Sequence, residues 1–139
     1  IKLIEQKSPP KPVLAINEHT NVAPAQDSYH STFDELNTLV ISNQWFLTPR
    51  LTLTDISEYT GLQTRDISRA INTVANKSFN EYINDYRINY ICQAIDDGSN
   101  YSLTRLYTDA GFSSKATFNK VFKDVKGITP SEYKSQHNV

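Results

Sequence analysis

The chain has 139 residues, 38% hydrophobic and 21% charged, with a formal net charge of -1; this suits one modest domain or two very small ones and excludes disorder throughout. Its longest apolar runs are only a few residues, which excludes a transmembrane helix within the sequence. The near-neutral charge supplies no global pull towards a polyanion, so a nucleic-acid partner has to be argued from local charge. Cys92 is the single cysteine and can form neither an internal disulfide nor a Cys-based zinc site alone, which fits a reducing compartment.

Residues 1–30 hold four of the six prolines and show no helical period. They read as an extended linker, with a docking peptide as the alternative. The sequence contains no methionine and opens on Ile1, from which we expect a longer parent protein. Order is expected from Ser31–Thr32: Thr32 and Glu35 have capping-box spacing, and Phe33, Leu36, Leu39 and Val40 follow at helical period. Trp45, with Phe46 and Leu47, reads as core at the end of this first helix. A connection containing Pro49 runs over 47–53. Six further helices are expected at 54–60, 64–75, 79–96, 102–110, 114–125 and 130–136, with Gly61, Gly98, Gly111 and Gly127 as stop signals. No segment alternates at period two for long enough to make a strand, so the fold is expected to be all-α with seven helices.

The sequence repeats itself. Leu53, Ile56, Gly61 and Leu62 return fifty positions later as Leu103, Leu106, Gly111 and Phe112. After one inserted residue, Ile67 and Ile71 return as Phe118 and Phe122, and the run 78–82 returns as 129–133. Each copy reads as a short helix, a glycine-bearing turn and a second helix, which is the helix-turn-helix pattern; an ordinary αα-hairpin is the plainer alternative. Ile67, Ile71 and Val74 mark the inward stripe of the second helix in one copy; Phe118, Val121, Phe122 and Val125 do so in the other.

The outward faces carry the functional signal. Thr64, Arg65, Ser68, Arg69 and Asn72 lie off the stripe in the first copy, and Ser114, Lys115, Asn119, Lys120 and Lys123 in the second. Between Ser114 and Lys126 stand four lysines and one acid, Asp124. Arg and Lys read guanine edges, Asn reads adenine, and Ser or Thr bond either, so these are the residue types of major-groove recognition. A merely solvated charged face is the competing reading.

From about Phe33 to Gln136 the sequence resembles the DNA-binding domain of the AraC/XylS family of bacterial transcription regulators. The resemblance rests on 51–57, on 79–83 with Arg87, on Gly111-Phe112-Ser113-Ser114-Lys115 leading to Phe118, and above all on Phe122-Lys123 with Gly127-Ile128-Thr129-Pro130-Ser131-Glu132-Tyr133-Lys134. It implies two helix-turn-helix units (about 33–78 and 102–136) joined by a long linker helix (about 79–97), together forming one DNA-binding domain over 31–139. Arg65, Ser68 and Arg69 would face bases from the first recognition helix; Lys115, Ala116, Thr117, Asn119 and Lys120 would do so from the second, Ala116 by apolar contact alone. Thr64, Ser114, Lys123 and Arg87 are phosphate candidates, with Ser114 also expected to cap its helix. Arg87 has a second reading, as an arginine that ties the two halves together.

The sequence departs from the family pattern at three positions. Tyr107 stands where the family prefers a small residue, and its ring must fit against the recognition helix or open the crossing angle. Gln63 replaces the usual capping Ser, leaving Thr64 to take over one residue later. Asn76 stands where the second copy has Gly127, and Asn tolerates the left-handed conformation.

Other reactive residue types read as structural. Cys92, among Ile88, Ile91 and Ile95, is a core residue rather than a redox sensor. His19, His30 and His137 have no ligand-like spacing, and Asp96-Asp97-Gly98 is a helix end rather than a catalytic pair. We expect no enzyme, no metal and no cofactor. The expected function is sequence-specific binding of double-stranded DNA by two recognition helices in successive major grooves, as part of a bacterial activator. The alternative is a helical protein-interaction module that has lost DNA binding. RNA polymerase is a further expected partner. Signal sensing and dimerisation are assigned to the N-terminal region of the parent, so this piece is expected to be monomeric. The expected location is the cytoplasmic nucleoid, with which a membrane-tethered parent is compatible.

Overall fold

The structure, a computed structural model, describes residues 26–137. Among these residues there are seven α-helices and no strand: α1 (Gln26–Ser42), α2 (Leu53–Thr60), α3 (Thr64–Ala70), α4 (Phe79–Asp96), α5 (Leu103–Asp109), α6 (Lys115–Lys126) and α7 (Pro130–His137). The all-α expectation therefore holds. A 3₁₀ turn at Trp45–Leu47 and a π-helical turn at Ile71–Ala75 complete the described chain. The expected linker over 1–30 lies outside the described residues as far as residue 25. From Gln26 to His30 the chain is helical, so the extended stretch ends earlier than expected. Thr32 and Glu35 sit inside α1, where the capping-box reading no longer applies.

Side-chain chemistry sets the helix ends. Thr52 and Asp55 form a capping box at α2, with Asp55 N–H donating to Thr52 Oγ1 at 3.1 Å and Thr52 N–H donating to Asp55 Oδ2 at 3.0 Å. Thr129 and Glu132 repeat the arrangement at α7, and the backbone N–H of Thr129 holds the exposed Glu132 carboxyl below the usual carboxylate range. Ser102 accepts from Arg105 N–H at the start of α5. These caps satisfy amide donors that a helix start leaves without intrahelical partners.

The described chain divides into two units. The first gathers α1 with Leu51–Phe79. Leu36 and Val40 of α1, Ile56 of α2, and Ile67, Ala70 and Ile71 are buried there, with α1 and α2 both packing on α3. The second gathers Asn43–Arg50 with the body of α4 and all that follows. Its core joins Ile88, Ile91, Cys92 and Ile95 of α4 to Leu106, Phe112, Phe118, Phe122 and Tyr133. The linker helix thus supplies four of the ten buried residues of the second unit's core, and burial raises the Cys92 thiol pKa. Asn43–Arg50, grouped with the first unit on sequence, belongs to the second.

Candidate nucleic-acid interface

In the first unit the chain enters α2 through the Thr52 cap and leaves it at Gly61, whose φ of 82° is the left-handed conformation that spares a residue without Cβ. Helix α3 then starts at Thr64. Gln63 occupies the cap position without a side-chain cap bond, and Thr64 is the first helical residue rather than the cap. Ile67, Ala70 and Ile71 point inward. Arg65 and Arg69 are exposed and Ser68 is half-buried, so the three base-contact candidates share the solvent side of this helix. Asn72 is committed elsewhere: its amide donates to Ser68 O at 3.0 Å and to Lys77 O at 3.1 Å. The helix expected over 64–75 widens into the π turn from Ile71 and ends at Asn76, whose φ of 59° matches the tolerance expected of Asn.

The second unit follows the same plan. Ser114 caps α6, accepting from Thr117 N–H at 3.1 Å, as its position implied. Phe118 and Phe122 are buried, whereas Lys115, Ala116, Thr117, Asn119, Lys120 and Lys123 are all exposed. Val125, expected on the inward stripe, is 40% exposed; the stripe ends at Phe122, one turn before the Gly127 stop. The Tyr107 ring packs against the recognition helix, stacking on Phe118 with centroids 4.9 Å apart and planes at 29°. That contact adds to the Phe112–Phe118–Phe122–Tyr133 aromatic chain beneath the helix.

The structure withdraws Arg87 from the phosphate candidates. Its side chain is buried; Nε donates to Phe46 O at 2.7 Å, Nη2 to Thr48 O at 2.8 Å and Nη1 to Asn84 Oδ1 at 3.2 Å. The guanidinium also lies 5.6 Å from the Phe112 ring centroid. It ties α4 to the 43–50 connection within one unit, which is why that connection packs there. Gly111 completes the joint: at φ 101°, a Cβ on it would meet Leu47 O at 2.8 Å and Arg87 Nε at 3.0 Å. The repeat showed that copy B needs a glycine at this turn, but only the tertiary contact shows what crowds it.

Two features of α6 went unnoticed in the sequence. Lys120 Nζ is 2.9 Å from Asp124 Oδ2, both side chains being exposed. An open groove beside α6 is lined by Lys115, Lys120, Lys123 and Asp124 together with Ser131 and Lys134 of α7. The i, i+4 spacing of Lys120 and Asp124 was the available signal for the first; the second depends on how α7 folds back. Among the described residues no group of three His, Cys, Asp or Glu side chains could hold a metal ion, and no helix is long and apolar enough to cross a membrane.

Residues 56–136 match the helix-turn-helix domain family. No protein of curated function matches at a significant level. Among solved structures, a transcriptional regulator with an AraC-type DNA-binding domain from Chromobacterium violaceum superposes with a TM-score of 0.65 at 22% identity, covering 77% of this chain and 96% of that one. The C-terminal domain of AraT, a response regulator from Geobacillus stearothermophilus, gives 0.63 at 16% identity, covering 86% and 91%. The C-terminal domain of the two-component response regulator yesN from Fusobacterium nucleatum gives 0.64 at 17% identity, covering 75% and 98%. These likenesses agree with the fold, and the family match spans more than half of the sequence, from within α2 of the first unit through the second. The chain belongs to the AraC-type helix-turn-helix family, the DNA-binding domains of transcription regulators.

Proposed function

We propose that the chain reads double-stranded DNA by laying α3 and α6 in successive major grooves of one duplex. The observation that carries this reading is the paired design of the two helices. Each buries an apolar stripe within its own unit and leaves basic and small polar side chains on the solvent side. An interaction module that had lost DNA binding has no need for that chemistry twice. The base-contacting residues in this reading are Arg65, Ser68 and Arg69 from α3 and Lys115, Ala116, Thr117, Asn119 and Lys120 from α6. Thr64, Ser114 and Lys123 hold phosphates. The chain from α1 onward acts as the DNA-binding domain and the residues before α1 as the link to an N-terminal sensing and dimerising region. Two structural neighbours are C-terminal domains of response regulators, which supports such a division. The protein works at the nucleoid, where RNA polymerase is its second partner.

Selection of bound sites from random duplex tests the reading directly. With the selected site, log K is expected to fall with log salt at a slope of about -4 to -6, reflecting the basic side chains that approach the backbone. A flat salt response, or no binding to any duplex at low salt, would turn the assignment towards the interaction module.

A further inference from the structure

We infer that Asp124 is an affinity-limiting residue of the second unit, a built-in competitor that engages the Lys120 ammonium and opposes the approach of DNA. The inference rests on the proposed function. Asp124 is the single acid in 114–126 against Lys115, Lys120, Lys123 and Lys126. It lies on the exposed side of α6 and lines the same groove as Lys115, Lys120 and Lys123. Its Oδ2 is 2.9 Å from Lys120 Nζ, whereas Lys115 and Lys123 share no ion pair among the described residues.

Fold stability does not account for an acid at this position. Asp124 stands in the last turn of α6, near the Gly127 C-cap, where the negative end of the helix dipole disfavours a carboxylate. The pair also runs in the weaker order, with the base N-terminal to the acid at i, i+4. Both side chains are well exposed, 77% for Lys120 and 63% for Asp124, so water screens the attraction and the pair stabilises the monomer little. Beside a polyanion the balance changes. The carboxylate repels the nearest phosphate and competes with a base edge for the Lys120 ammonium, so the second recognition helix binds more weakly than its lysine content suggests. Weak binding by one unit lets a regulator leave sites that only that unit fits.

The test uses the full chain and a duplex selected with it. Asp124→Asn keeps the size of the side chain and removes the charge. Removing one negative charge from the side that faces the phosphates should steepen the salt slope by about 0.9, equivalent to roughly eightfold tighter binding at about 0.1 M salt. Lys120→Ala should then cost more in the Asp124→Asn background than in the original chain, because only there is the ammonium fully available. Unchanged affinity and slope would overturn the inference. So would a loss of affinity confined to one base position, which would mean that Asp124 itself accepts a hydrogen bond from a cytosine amine. Absence of binding by the original chain and the variant alike, with both still helical by circular dichroism, would overturn the proposed function and this inference with it.

Discussion

Arg87 carries a positive charge into the second unit with no carboxylate opposite it among the described residues; the carbonyls of Phe46 and Thr48 and the Asn84 amide oxygen receive its protons instead. Burial lowers its pKa from the ordinary guanidinium value, and the planar fork is what lets one side chain reach both carbonyls. A lysine ammonium at the end of a flexible stem cannot do so. Arg87→Lys is therefore expected to lower stability by about 2–4 kcal/mol in urea unfolding, with the DNA salt slope unchanged. Arg87→Gln, which also removes the charge, is likewise expected to leave the salt slope unchanged in the folded protein; a slope smaller by about one would return Arg87 to the phosphate contacts. The outward arginines follow the opposite logic. Arg69 is exposed with no ion pair among the described residues, so Arg69→Ala should cost about 1–3 kcal/mol of binding and relax preference at one or two base pairs. Lys120→Ala should cost less, because Asp124 already engages that ammonium. Equal, base-specific losses from both substitutions would contradict this ranking.

At the scale of elements, the two glycine turns look alike in the repeat but differ in what surrounds them. Gly61 has φ 82° and open space where a Cβ would stand; Gly111 has φ 101° and a carbonyl at 2.8 Å. Gly61→Ala thus meets only the left-handed backbone penalty, about 1 kcal/mol. Gly111→Ala adds a clash with Leu47 O, which is backbone and cannot rotate away, so a loss of about 3 kcal/mol or more is expected. Parallel urea unfolding of the two variants measures the difference, and similar midpoints would show that the 43–50 connection yields easily. The helices themselves were legible because their caps and periodicity are local. Ser114, Asn76 and the Gly127 stop behave as their residue types imply. The π turn at Ile71–Ala75 was not legible: Ile67, Ile71 and Val74 have spacings that suit an ordinary helix equally well, and the wider turn leaves no mark in residue type.

On the scale of the whole molecule, the exposed large hydrophobics are Ile41 on α1, Tyr101 before α5 and Val125 on α6 among the described residues. The Tyr101 ring is further covered by the Arg105 guanidinium at 4.0 Å. A specific dimer buries on the order of 1,000 Å² or more, and isolated side chains of this kind do not make such a patch. Sedimentation equilibrium at micromolar concentration is expected to show a monomer. A stable dimer that disappears when residues 1–25 are deleted would make that segment an interface rather than a linker.

The sequence by itself determined the helical class, the duplication and which faces of the two second helices meet solvent. All three follow from periodicity and residue type, which act over one or two turns of chain. Which of those outward side chains face bases is what the family resemblance implies, because residue type and periodicity alone mark only the exposed face. Only the tertiary structure decided what Arg87 does, since its acceptors lie 39 and 41 positions away and an arginine's destination depends on which carbonyls the fold brings within reach. It also decided that 43–50 joins the second unit and that the Tyr107 ring stacks on Phe118. These outcomes are settled by packing between segments distant in sequence, where the free energy of burial depends on neighbours that no local pattern names.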